Sequence, residues 1–328
     1  MQAKVLKGLL PQTYQHPLDS KALSVLQRTP GLDLLVRKFH EWGVERLLRV
    51  QLTGSSLRVT SDSFSEIHQL VCTAAERIDL TRIPNVYILG SGEINAFTAG
   101  TERPIIVITS AAVDALNLNE LIFVIGHELG HIKSEHVLYH TIGQMLPYVG
   151  NAIGKATFGV GALLSASLEM ALLNWKRTSE FTADRAGLLA CQDTEAAISV
   201  MMKFGGLPHK YYSSFNTEDF ILQAREFEEL DGDRLNWLAK ALSAMGQTHP
   251  WTVMRGNQFL KWIDTGDYDR ILEGTTTEVS TEPPTCSACQ KPLLGIETFC
   301  PGCGAQVVAH AATSRLTKVR LGLRAAVS

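Results

Sequence analysis

Excess positive charge is missing from this 328-residue chain: 30 Lys and Arg stand against 33 Asp and Glu, a formal net charge of -3. That balance gives no electrostatic reason to expect nucleic acid as a partner. No secretory leader is expected either, because the apolar core within residues 1–11 is too short for one. We therefore expect a cytoplasmic location, with membrane association as the alternative. Long apolar runs are lacking even where charge is sparsest. Between Thr141 and Trp175 only Lys155 and Glu169 are charged, yet the uncharged runs 142–154 and 156–168 have thirteen residues each. A membrane span takes about 20. Pro147 and five glycines interrupt the stretch further. It reads as a buried or dimer-contact hairpin, with membrane contact as the alternative.

What is present is ordinary globular composition, 45% hydrophobic and 19% charged, enough for one large domain or two smaller ones. Within it stands His127-Glu128-Leu129-Gly130-His131, preceded by the apolar run Leu121–Ile125. Asn119 and Glu120 suit the start of a helix, as N-cap and first-turn acid. Residues four apart share a helix face, so His127 and His131 can present two imidazoles to one metal ion. Glu128 then sits within reach of a water on that metal, as a general base. Buried histidine and glutamate are costly unless something satisfies them, which favours a metal over a chance pattern. Gly130 leaves room for another chain or a substrate to approach.

A catalytic zinc usually has three protein ligands and an open position. The third is sought in residues 178–187, where Glu180 and Asp184 are again four apart. Glu180 would bind the metal, and Asp184 would accept a hydrogen bond from the free nitrogen of a ligand histidine. A solvated helix, with Arg177 and Arg185 paired to those acids, is the competing reading.

Four motifs in order carry a resemblance: Asn95-Ala96-Phe97-Thr98-Ala99-Gly100, the His-Glu-Leu-Gly-His helix, Glu180-x-x-x-Asp184, and Thr248-His249-Pro250 followed by Arg255. Over roughly residues 60 to 265 the chain resembles the HtpX-like and CAAX-prenyl-protease-type zinc metallopeptidases, metallopeptidase family forty-eight, which are gluzincins. The resemblance implies Glu180 as third ligand and Asp184 as its supporting acid. It places Asn95, Ala96 and Phe97 beside the metal as a substrate-binding strand. It also implies that His249 stabilises the oxyanion and that Arg255 braces its loop. Relatives such as HtpX carry membrane helices, some inserted near residue 142.

Residues 1–60, broken by Pro11, Pro17 and Pro30, read as an N-terminal adapter with short helices over 18–27 and 32–42. His16 and His40 read as structural, although His16-Pro17-Leu18-Asp19 also resembles N-terminal segments of soluble relatives. Residues 61–272 read as the metallopeptidase domain. Ser63 and Glu66 form a capping-box pattern before a helix over 63–78. Strands are expected at 86–89, 95–99 and 105–108, with helices at 175–190, 201–204, 220–230 and 234–245. The strands next to the metal helix could pair with an extended peptide.

Residues 273–285 are a polar, Pro-containing linker. Beyond it, Cys286-x-x-Cys289 and Cys300-x-x-Cys303 have the spacing of a four-thiolate zinc ribbon over 286–310, with two disulfides as the alternative. Cys72 and Cys191 read as core residues. The tail, 311–328, holds four basic residues and no acid, and reads as a disordered end or a membrane-surface contact.

The fold expected is α+β and mainly helical: a zincin-like metallopeptidase domain with a small sheet beside the H-E-x-x-H helix, plus a small four-cysteine zinc ribbon. The function expected is a zinc endopeptidase acting on unfolded or partly unfolded polypeptide, with one catalytic and one structural Zn2+ and a partner surface on the ribbon. A partner-docking zinc protein that cuts rarely is one alternative, though it has no need of Glu128 as a base. An integral membrane protease is the other.

Overall fold

Proline sets the first turns of the chain. In the computed structural model, which describes residues 3–41, 43–143, 166–229 and 251–274, Pro11 and Pro17 open α1 (Pro11–Tyr14) and α2 (Pro17–Arg28). Helix starts tolerate proline because its missing N–H would have no partner there. His16 caps α2, its Nδ1 accepting the Leu18 N–H at 3.1 Å. Helices α3 (Leu32–Glu41) and α4 (Val44–Ser55) follow, and lead into β1 (Ser56–Arg58).

Helix α5 runs over Ser65–Arg77. The capping box expected at Ser63 does not form. Ser63 is held in a local turn, its N–H donating to Thr60 Oγ1 at 3.0 Å and its carbonyl accepting the Thr60 N–H at 2.8 Å. The helix therefore starts later, from Phe64 with φ of 62° and no side-chain cap.

Strands β2 (Asn85–Leu89), β3 (Ala96–Ala99) and β4 (Ile105–Thr109) complete a four-stranded sheet of order β1-β2-β4-β3. β2 and β4 run parallel; β1 and β3 are antiparallel to their neighbours. Every residue of β4 is buried, as expected for a continuous β-branched run covered on both faces. β3 pairs with β4 on one side and with no strand on the other among the described residues.

After α6 (Ser110–Ala115) comes α7 (Leu118–Lys133), which carries the H-E-x-x-H residues. Its cap is Asn117, two residues before the one expected. Glu120 N–H donates to Asn117 Oδ1 at 3.0 Å, and Asn117 N–H donates to Glu120 Oε2 at 2.7 Å. This reciprocal box needs partners three apart, a spacing Asn117 and Glu120 have and Asn119 and Glu120 lack. Asn119 instead donates to Asp193. Glu120 also pairs with buried Lys203 at 2.6 Å, tying the start of α7 to a later helix.

Residues 137–143 are helical. Helix α8 (Ala166–Cys191) then lies along α7. The contact is built from small residues. A Cβ at Gly130 would stand 2.5 Å from that of Ala186, and one at Gly126 would clash with Ala190. The space at Gly130 is therefore taken by α8 of the same chain, and not by a second chain or a substrate as expected. Helices α9 (Thr194–Phe204), α10 (Thr217–Glu229), α11 (Thr252–Asp264) and α12 (Asp267–Leu272) follow.

The main core joins α5, the sheet, α7, α8, α9 and α11. A smaller cluster joins α2 and α3 to Ile142, Leu168, Leu172 and Trp175. Both ends of the sparsely charged stretch are thus buried in protein, while residues 144–165 between them lie outside the described residues. No helix among the described residues is long and apolar enough to cross a membrane. Cys191 is buried as expected, while Cys72 is half-buried on α5. The helix expected at 234–245, the linker beyond residue 274, the four paired cysteines and the tail lie outside the described residues.

Candidate metal centre

One turn of α7 and one turn of α8 face each other across the small-residue contact. His127 and His131 point from the first and Glu180 from the second, all buried. The two Nε2 atoms are 3.1 Å apart. Glu180 meets both, with Oε2 at 3.5 Å from His127 Nε2 and Oε1 at 3.4 Å from His131 Nε2. One donor atom from each residue falls within a 4.8 Å cluster, the one such group among the described residues.

Asp184, one turn beyond Glu180, is 2.9 Å from His127 Nδ1. Arg255 of α11 holds the same carboxylate with two nitrogens, Nε to Oδ2 at 2.9 Å and Nη2 to Oδ1 at 2.6 Å. Its Nη1 stands 3.6 Å from Glu180 Oε2. Arg255 thus braces the acids of α8 directly; the loop the resemblance gave it, with His249, lies outside the described residues. Arg177 and Arg185 do not pair with these acids. Arg177 donates to the Leu173 carbonyl, and Arg185 to the carbonyls of Tyr14 and Gln15.

Burial works against charge on His127, but hydrogen bonds and charge from Asp184 and Glu180 outweigh it and raise its pKa to about 9. Burial prevails at His131, whose pKa is lowered despite Glu180. Burial would raise the Asp184 pKa, yet the Arg255 guanidinium and its hydrogen bonds hold it below the usual carboxylate range. The donor set fits zinc: two imidazoles and one carboxylate are its common ligands.

Glu128 is oriented by the sheet. Thr98 of β3 donates to its Oε2 at 2.7 Å, which leaves Oε1 on the side of His127, 4.0 Å from Nε2. A cavity of about 190 Å³ opens here, lined by Asn95, Ala96, His127, Glu128, Glu180 and Arg255 among others. Phe97 lines a smaller cavity across the site, with Glu128 and His131. All three residues therefore stand beside the site, Ala96 and Phe97 in β3 and Asn95 just before the strand begins.

Thr98, His136 and His140 were not singled out from sequence. The His140 ring lies 4.4 Å from that of His131, and its Nε2 is 2.7 Å from Ser179 Oγ. The available signal was density: four histidines fall between residues 127 and 140.

This geometry agrees with comparison to known proteins. Residues 61–263 match Peptidase family M48. The chain belongs to that family. Membership brings protease function and dependence on a metal, usually zinc. Among M48 relatives, plastoglobule-localized metallopeptidase 48, chloroplastic, of Arabidopsis thaliana is 29% identical over 272 residues, covering 82% of this chain and 77% of its own. A protease HtpX homolog of Ralstonia pickettii is 25% identical over 234 residues, covering 64% of this chain and 78% of its own. The corresponding protein of Burkholderia thailandensis is 26% identical over 229 residues, with coverages of 62% and 76%. No solved structure matches the chain.

Proposed function

We propose that this M48 protein is a zinc endopeptidase that cuts extended polypeptide chains, with His127, His131 and Glu180 holding the metal and Glu128 as general base. The observation that carries the reading is the burial of these four side chains around one point, where two cavities meet them beside a strand whose outer edge is free among the described residues. A bound zinc would supply Lewis acidity and lower the pKa of a water to about 7. The rest falls to the chain. Thr98 anchors Glu128 Oε2, so Oε1 is the oxygen positioned to take the proton of the attacking water. Returning that proton to the departing amine nitrogen completes the transfer. The free edge of β3 would hold the substrate as an added strand, by backbone pairing that asks little of its side chains. That favours unfolded or partly unfolded segments, since a folded segment has its backbone groups already paired.

Cys286, Cys289, Cys300 and Cys303 would take a second, structural zinc, so metal analysis of the full chain should give two ions. For the catalytic site the test is Glu128→Gln. We expect zinc content and melting temperature like those of the wild type, with casein cleavage abolished. Cleavage by the purified variant at a rate near that of the wild type would remove Glu128 from its role.

A further inference from the structure

The Nδ1 of His127 meets a carboxylate directly, and the Nδ1 of His131 does not. His131 Nδ1 lies 3.1 Å from Nδ1 of His136, and His136 Nε2 lies 3.2 Å from Oδ2 of Asp19. The second approach is an ion-pair contact rather than an aligned hydrogen bond. All three side chains are buried, Asp19 completely. Asp19 lies in the first turn of α2, and Thr182 of α8 donates to its Oδ2 at 2.6 Å. The Thr182 oxygen in turn accepts the backbone N–H of His16 at 3.0 Å. The His136 ring stands edge-on to Trp175 at 5.5 Å, which fixes its plane.

Two imidazole nitrogens 3.1 Å apart share one proton, because two protons would collide and none would leave two lone pairs opposed. His131 Nε2 faces His127 and Glu180. To serve as a ligand there it must be bare, so the His131 proton sits on Nδ1. His136 Nδ1 must then accept it, and the proton of His136 belongs on Nε2, beside the Asp19 carboxylate. A negative charge at that position favours this tautomer over the reverse.

We infer that Asp19, acting through His136, is a positioning residue that sets the tautomer of His131 and so strengthens metal binding at the site. The inference rests on His131 being a ligand. It makes α2, upstream of the family match at 61–263, part of the metal centre.

The test uses the full chain and two metals, zinc and cobalt. Zinc affinity is measured by chelator competition. Cobalt(II) spectra separate the His-His-Glu site from the cysteines, because thiolate ligation gives intense charge-transfer bands. Asp19→Asn keeps the size of the side chain and removes its charge. We expect about 10-fold weaker binding at the His-His-Glu site, the lower end of the usual loss for a group behind a ligand, and no change at the cysteines. His136→Gln keeps an acceptor for His131 while cutting the link to Asp19. It should weaken binding similarly, and Asp19→Asn added to it should have no further effect. Leu26→Ala, a core truncation on α2 away from the site, should lower the melting temperature and leave zinc affinity unchanged.

Wild-type affinity in Asp19→Asn, or the same loss with and without His136, overturns the inference. So does a loss in Leu26→Ala matched to its fall in melting temperature. If Asp19→Asn does not fold, His136→Gln alone decides, and wild-type affinity there is fatal. A wild type that binds no metal through His127, His131 and Glu180 overturns the site assignment itself, and the inference with it.

Discussion

His127 Nδ1 stands 2.9 Å from Asp184 Oδ1, while Arg255 grips both oxygens of that carboxylate. Glu180 and Asp184 share one face of α8, but only Glu180 reaches the Nε2 side of both histidines. Glu180→Ala should therefore be isolated with the His-His-Glu site empty. Asp184→Asn should still fill it, with affinity about 10–100-fold weaker. Metal analysis on chain ending before Cys286 separates the two. The reverse pattern would mean that Asp184 is the ligand.

Arg255→Met should be more damaging to stability than a surface change. It leaves the buried Asp184 carboxylate with His127 but without the guanidinium, and a broken buried ion pair costs about 3–5 kcal/mol. Arg255→Lys restores charge without the two-pronged contact and should recover only part of it. Urea unfolding of the three proteins ranks them. Equal stability for Met and wild type would contradict the role given to this pair.

Gly126→Ala should push α8 away from α7, since its methyl group would meet Ala190. Overpacking of this kind costs about 1–3 kcal/mol. It should also weaken zinc binding, because the ligands come from both helices. Adding Ala190→Gly should return part of both losses. Thermal melts and chelator competition on the single and double variants measure this coupling.

Thr98→Val keeps the β-branched shape and removes the hydroxyl that anchors Glu128 Oε2. A hydrogen bond to a charged group contributes about 1.5–3 kcal/mol. Peptide cleavage should therefore slow by roughly 10-fold to 100-fold in kcat. Zinc content and KM should change little. A variant with full kcat would show that Glu128 needs no anchor.

The histidine at the start of α2 makes stability depend on pH. Burial and the neighbouring Arg185 charge lower the His16 pKa to about 4, against 6.5 for an exposed histidine. Its unfolded form binds the proton more readily, so stability is full above pH 6.5 and declines as pH falls towards 4. At 1.36 kcal/mol per unit the loss is about 3 kcal/mol. His16→Asn keeps a capping acceptor and should remove that part of the decline. Urea unfolding of chelated protein at about pH 7 and about pH 4 tests it without interference from metal loss.

The parts of the site legible in the sequence are those with helical spacing. His127 with His131 and Glu180 with Asp184 are each four apart, which places each pair on one face before any tertiary contact is known. β3 was legible because it lies in a familiar motif next to a turn. Asp19 carries no such period and reaches His136 from a distant element, while His136 left only the local density of histidines and Arg255 came from the family motif, not from spacing. The cap of α7 was misplaced because two asparagines stand within three residues, and only Asn117 has the three-residue spacing to Glu120 that a reciprocal box needs. Thr98 resembled any strand threonine until Glu128 was found opposite it.

His127 and Asp184 are 57 positions apart in the chain, and His131, His136 and Glu180 all lie between them. Within α8 the tolerance is nil. One residue inserted between Glu180 and Asp184 turns everything beyond it by about 100°, carrying Asp184 off the face it shares with Glu180. Helical phase is what this centre does not forgive.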